Sequence, residues 1–110
     1  MRTILFFRVM LVMLAAPAFA AQLYGTLREG DRPVPQGVQV TVSCPGNPSH
    51  TGTTDASGVY RIYVPEKGRC TLQVQYNGQS ASAEVYSFDD ATKYDFDLIQ
   101  QKGFYTLRRR

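Results

Sequence analysis

The chain has 110 residues, with 12 Lys and Arg against 9 Asp and Glu, a formal net charge of +3, and two cysteines. A length of this order accommodates one small domain. So slight a charge excess, which falls further once the N-terminal arginines are removed, implies no long-range attraction to nucleic acid or to an anionic membrane.

Residues 1–20 read as a cleaved secretory signal. Arg2 and Arg8 accompany a short apolar run, Pro17 interrupts it, and Ala18 and Ala20 supply the small residues that fit cleavage after Ala20. An uncleaved anchor is the alternative, but the run is short for a bilayer and carries a helix breaker. No cysteine follows the cut for lipid attachment, so the mature chain, residues 21–110, is expected to be secreted or periplasmic with no transmembrane segment. Removing Arg2 and Arg8 with the signal leaves 10 basic and 9 acidic residues, a net charge of +1.

The remaining chain alternates apolar and polar residues in short segments separated by Gly, Pro, Asn and Asp, which predicts an all-β domain. Strands are expected over Gln22 to Arg28, Gly37 to Ser43, Val59 to Val64, Arg69 to Tyr76, Gln79 to Tyr86 and Lys93 to Ile99, with a weaker one over Gly103 to Arg108. Glu29 to Gln36, Pro45 to Gly52 and Ser87 to Thr92 are expected loops. About seven short strands suit two sheets packed around one core.

Parity assigns the faces. Val38, Val40 and Val42 share a face with Cys44, and Cys70 shares one with Leu72, Val74 and Tyr76. Tyr60, Ile62 and Val64 point inward, as do Leu23, Gly25 and Leu27, Ala81, Ala83 and Val85, and Tyr94, Phe96 and Leu98. Asp95 and Asp97 are expected to face water. Export to an oxidising compartment and an even cysteine count with a single internal connectivity predict a Cys44–Cys70 disulfide.

Chemistry-bearing residues are sparse. His50 is the sole histidine. A triad with Ser49 or Ser57 and Asp55 is formally available, but no serine occupies a nucleophile elbow. One histidine and two disulfide-bound cysteines cannot complete a zinc site, and Asp89 and Asp90 with Asp55 lack the spacing of a calcium loop. No catalytic, cofactor or metal residue is therefore assigned. Arg108, Arg109 and Arg110 read as a solvated tail. Tyr24, Arg61, Tyr63 and Tyr86 fall on outward positions, where exposed rings beside polar donors form a candidate binding surface.

Several segments together resemble the carboxypeptidase regulatory-like domain, a transthyretin-like or prealbumin-like β-sandwich. They are Gly25-Thr26-Leu27, the run Arg32-Pro33-Val34-Pro35-Gln36-Gly37-Val38, the turn Thr54-Asp55-Ala56-Ser57-Gly58-Val59-Tyr60, and Pro65-Glu66-Lys67-Gly68. The likeness covers about Gln22 to Val85. It implies structural work for Asp55, Gly58 and Gly68 in turns, and folding support, adhesion or ligand contact rather than catalysis. Cys70 stands where that family usually has an aromatic residue before Thr-Leu. Some transthyretin-like proteins are hydrolases of a purine-breakdown intermediate that rely on several histidines, an arginine and a terminal Tyr-Arg-Gly-Ser, whereas this chain ends Leu-Arg-Arg-Arg. The resulting expectation is an exported, non-enzymatic module that contacts a protein in the cell envelope or outside the cell, with carbohydrate binding through the tyrosines as the alternative. An edge strand near Gly103 to Arg108 would be available to pair with a partner.

Overall fold

A computed structural model describes residues 21–110; the expected signal lies outside the described residues. These residues contain ten strands and no helix: β1 (Gln22–Glu29), β2 (Arg32–Pro33), β3 (Gln39–Ser43), β4 (His50–Thr53), β5 (Val59–Tyr63), β6 (Gly68–Tyr76), β7 (Gln79–Ser87), β8 (Thr92–Lys93), β9 (Phe96–Gln101) and β10 (Phe104–Arg109). They form a sandwich. One sheet runs β10-β9-β1-β2, with β5 and β8 also paired to β1; the other runs β4-β3-β6-β7.

The alternation explains the core. Leu23, Leu27, Val40, Val42, Tyr60, Val64, Leu72, Val74 and Val85 are fully buried between the sheets, with Phe96 and Leu98 almost so. Each belongs to the inward set expected from parity, because a one-residue slip would turn every such side chain to water.

Three expectations are corrected. His50 to Thr53 is a strand rather than part of a loop, paired to β3 through Thr41↔Thr51 and its neighbours, and Arg32–Pro33 pairs with the end of β1. The expected strand from Lys93 to Ile99 is broken. β8 and β9 both run parallel to β1, and at the joint the Tyr94 amide donates to the Tyr24 carbonyl while the Thr26 amide donates to Asp95 Oδ1 at 2.8 Å. A side-chain carboxylate thus accepts where a backbone carbonyl would in a continuous ladder. Asp95 and Asp97 are accordingly half-buried and paired, Asp95 also with Lys93 and Asp97 with Arg110 at 3.1 Å.

The C-terminal arginines are correspondingly not a loose tail. Arg109 lies 4.5 Å from the centre of the Tyr94 ring, and the Arg110 amide donates to the Asp95 carbonyl. β10 is an edge of its sheet, as expected, but it also carries Tyr105 into the core.

Asp55 and Gly58 bracket the turn before β5, and Gly68 is the first residue of β6. Asp55 Oδ1 accepts the amides of Ser57 and Val59 at 2.8 and 3.0 Å, an Asx-type turn. Gly58 adopts φ +78, and a Cβ there would meet the Leu27 carbonyl at 2.8 Å. Gly68 adopts φ +106 with open space around it, so its requirement is conformational alone. The disulfide joins Cys44 to Cys70. It lies one rung beyond the Ser43↔Thr71 pair, so it links neighbouring strands of one sheet.

Candidate functional site

The four residues expected to form one binding surface are divided between the two sheets. Tyr24 and Arg61 are a register pair of β1 and β5, and the Arg61 guanidinium lies 5.6 Å from the Tyr24 ring centre, so one face of that ring already has a cation over it. Tyr63 lies two register pairs further along the same strands, opposite Gln22, and is 55% exposed. Tyr86 belongs to β7 of the other sheet.

Tyr86 has a neighbour that parity did not supply. Phe88, just past the end of β7, is 53% exposed against 42% for Tyr86, and their rings are nearly parallel at 18° with centres 6.4 Å apart. Two ion pairs stand beside them, Arg69–Glu84 at 3.2 Å and Lys67–Asp89 at 2.9 Å. An aromatic centre with a charged border has the anatomy of a recognition patch.

The backbone below this patch is fixed by hydrogen bonds. The Ala21 amide donates to Asp89, the Val64 amide to Ala21, and the Ser87 hydroxyl to the Val64 carbonyl at 3.1 Å. The Tyr94 hydroxyl accepts the Tyr86 amide at 2.9 Å, so a side chain from one sheet caps the free edge of the other. Phe88 was missed because it lies in an expected loop without periodicity; its only sequence signal is an apolar ring among Ser, Asp and Ala.

The remaining chemistry is held in structural pairs. His50 Nε2 pairs with Glu66 Oε1 at 2.7 Å rather than with Asp55. Ser49 shares a hydrogen bond with Ser43, and Asp55 serves its own turn. The residues of the formal triad are thus not assembled. Among the described residues no group of three or more His, Cys, Asp or Glu could hold a metal ion.

A cleft of about 550 Å³ at the other end is lined by Glu29, Arg32, Pro33, Pro35 and Tyr76. Tyr76 donates its hydroxyl to Glu29 Oε1 at 2.7 Å, and chiefly this bond to a carboxylate, with burial next, pushes its phenol up to about 12 from 10.0. Burial, followed by the charge of Asp95, also raises the phenol of Tyr60, whose hydroxyl donates to the Tyr94 carbonyl. Folding therefore favours the neutral form of both groups, which the unfolded chain loses first. Stability is whole below about pH 10 and declines as pH rises from there through the folded values. Thermal melts across that range will show the decline, and Tyr76→Phe will make it shallower; a melting temperature that stays flat from pH 9 to 12 would contradict it.

No protein-family model matches the chain, and no curated protein matches its sequence. Among solved structures, 5-hydroxyisourate hydrolase of Klebsiella pneumoniae superposes with a TM-score of 0.60 at 16% identity, over 82% of this chain and 98% of that one. A candidate cell adhesion protein from Bacteroides ovatus gives a TM-score of 0.47 at 10% identity, over 83% of this chain and 43% of its own. A 9R-lipoxygenase from Cyanothece gives 0.41 at 16% identity, over 79% of this chain and 17% of its own. The strand order, the buried face and the first of these likenesses together show an all-β sandwich of transthyretin-like fold.

Proposed function

We propose that this is an exported, non-enzymatic recognition domain of the carboxypeptidase regulatory-like type, which contacts a protein partner in the cell envelope or outside the cell. The observation that carries this reading is the exposed Tyr86–Phe88 pair, bordered by Arg69–Glu84 and Lys67–Asp89. Rings left in water at the end of a hydrogen-bonded strand contribute little to the core, and their cost in exposed apolar area is recovered when a partner covers them. The disulfide fits an oxidising location.

The double variant Tyr86→Ala, Phe88→Ala tests the reading. Both positions are exposed, so the melting temperature should hold. A partner recovered from envelope extract by the wild-type domain should bind the variant about thirty-fold more weakly, the equivalent of roughly 2 kcal/mol for a truncated interface anchor. Equal recovery of every partner by both proteins would refute it.

Carbohydrate binding is the second reading. It is favoured by the rest of the outer face of the β4-β3-β6-β7 sheet, which is Thr, Gln and Ser apart from Tyr86 and the Arg69–Glu84 pair at one corner.

A further inference from the structure

The two outer faces of the sandwich differ in charge. The face of the β1 sheet carries Arg28, Arg61, Lys93 and Arg108 with Asp95 and Asp97. Across the other sheet, the registers align Thr51, Thr41, Gln73 and Ser82 as one row of side chains pointing away from the core. The rows on either side are Thr, Gln and Ser except at one corner, where Glu84 pairs with Arg69. In a chain with 19% charged residues, this face is nearly free of them.

We propose that the outer face of the β4-β3-β6-β7 sheet binds an uncharged polysaccharide. The inference deepens the carbohydrate reading and rests on it; Tyr86 lies at a corner of the same face, two same-face pairs from Ser82, so substitutions in the Thr51–Ser82 row and at Tyr86 and Phe88 test the two readings apart. Three physical arguments support it.

The first is complementarity of charge. Hydroxyls and amides are donors and acceptors at once, as sugar hydroxyls are, and they can exchange water for a ligand without the desolvation cost of an ion. The second is repetition. Side chains on one face recur about every 7 Å along a strand and about every 4.8 Å across strands, a grid that a repeating ligand can meet in several registers. The third is preorganisation. Thr41 and Thr51 hydroxyls lie 3.2 Å apart, Gln75 Nε2 donates to Ser80 Oγ at 2.8 Å, and Ser43 and Ser49 hydroxyls lie 2.9 Å apart. Less rotamer freedom then remains to be lost on binding. Edge strands commonly carry Lys as a guard against association, and neither edge of this sheet, β4 or β7, has one.

The test is retention of the residue 21–110 domain on insoluble cellulose, chitin and β-1,3-glucan, with alginate as the acidic control. The wild type should be retained on at least one neutral polymer and not on alginate. Thr41→Asp with Gln73→Asp should reduce retention at least tenfold while capture of a protein partner through Tyr86 and Phe88 is unchanged. Gln75→Lys with Ser82→Lys, at exposed positions, provides a second pair should the first alter the melting temperature. Absence of retention on all three neutral polymers, retention on alginate alone, or retention indifferent to both pairs would overturn the proposal. So would a wild-type dimer that either pair converts to a monomer, since a second copy of the chain would then be the occupant.

Discussion

Gly25→Ala will destabilise the fold by about 4 kcal/mol or more. A Cβ at this position would lie 1.9 Å from the Tyr94 carbonyl oxygen, 2.6 Å from its carbon and 2.9 Å from Asp95 Oδ1. None of these can simply step aside. The Tyr94 carbonyl accepts the buried Tyr60 hydroxyl at 2.7 Å, and Asp95 Oδ1 accepts the Thr26 amide at 2.8 Å. The alanine must therefore separate β1 from the β8–β9 joint and break both bonds, a loss of about 4 kcal/mol or more. A 90-residue domain has a total stability of roughly 5 to 13 kcal/mol. Circular dichroism melts should show the transition lowered by roughly 16 °C or more. Gly103→Ala is the matched control, because its φ of +88 with no neighbour within 4 Å exposes only the conformational cost, about 1–2 kcal/mol. If Gly25→Ala melts no lower than this control, β1 and the joint do not approach as described.

The second large effect is removal of the disulfide. Cys44→Ala with Cys70→Ala opens a 26-residue separation that contains β4 and β5, the segment in which the chain crosses from one sheet to the other. The chain-entropy model gives a loss of about 3.5 kcal/mol, or roughly 14 to 28 °C in melting temperature for a domain of this size. Denaturant titration of the oxidised, reduced and double-alanine proteins should place the last two together, well below the first. A double-alanine variant within a few degrees of wild type would contradict the estimate.

Much of the architecture was legible because buried strands write their inward face at period two. Val40 and Val42, Leu72 and Val74, and Tyr94, Phe96 and Leu98 all lie inside as parity requires. What escaped has a physical reason in each case. β4 reads His-Thr-Gly-Thr, and its inward positions are His50 and Gly52, neither an aliphatic residue; at Gly52 Ile62 leaves little room, since a Cβ would come within 3.1 Å of its Cγ1. Such a strand is held by backbone bonds to β3 and shows no hydrophobic alternation. The break at Tyr94 and Asp95 was invisible for a similar reason. Parity points Asp95 outward but says nothing of an amide on another strand that needs its carboxylate. The candidate surface was legible only in part. Tyr24, Tyr63 and Tyr86 are on outward positions, yet their division between two sheets depends on strand order, and the ring beside Tyr86 comes from a segment without a period.

The cross-strand disulfide also bears on solubility during folding. Burial of Val40, Val42, Leu72 and Val74 forbids a one-residue slip of β3 against β6, but a two-residue slip keeps the parity and only trades Thr, Gln and Ser outside, and uncharged strands of this kind are prone to associate edge to edge. With Cys44 bonded to Cys70 one rung past Ser43↔Thr71, β3 and β6 have only one alignment available. Oxidation therefore acts as a register lock on the sheet whose outer face lacks charged guards. The reduced chain is expected to fail first by aggregation, and its yield should depend on how early the bond forms relative to pairing of these two strands.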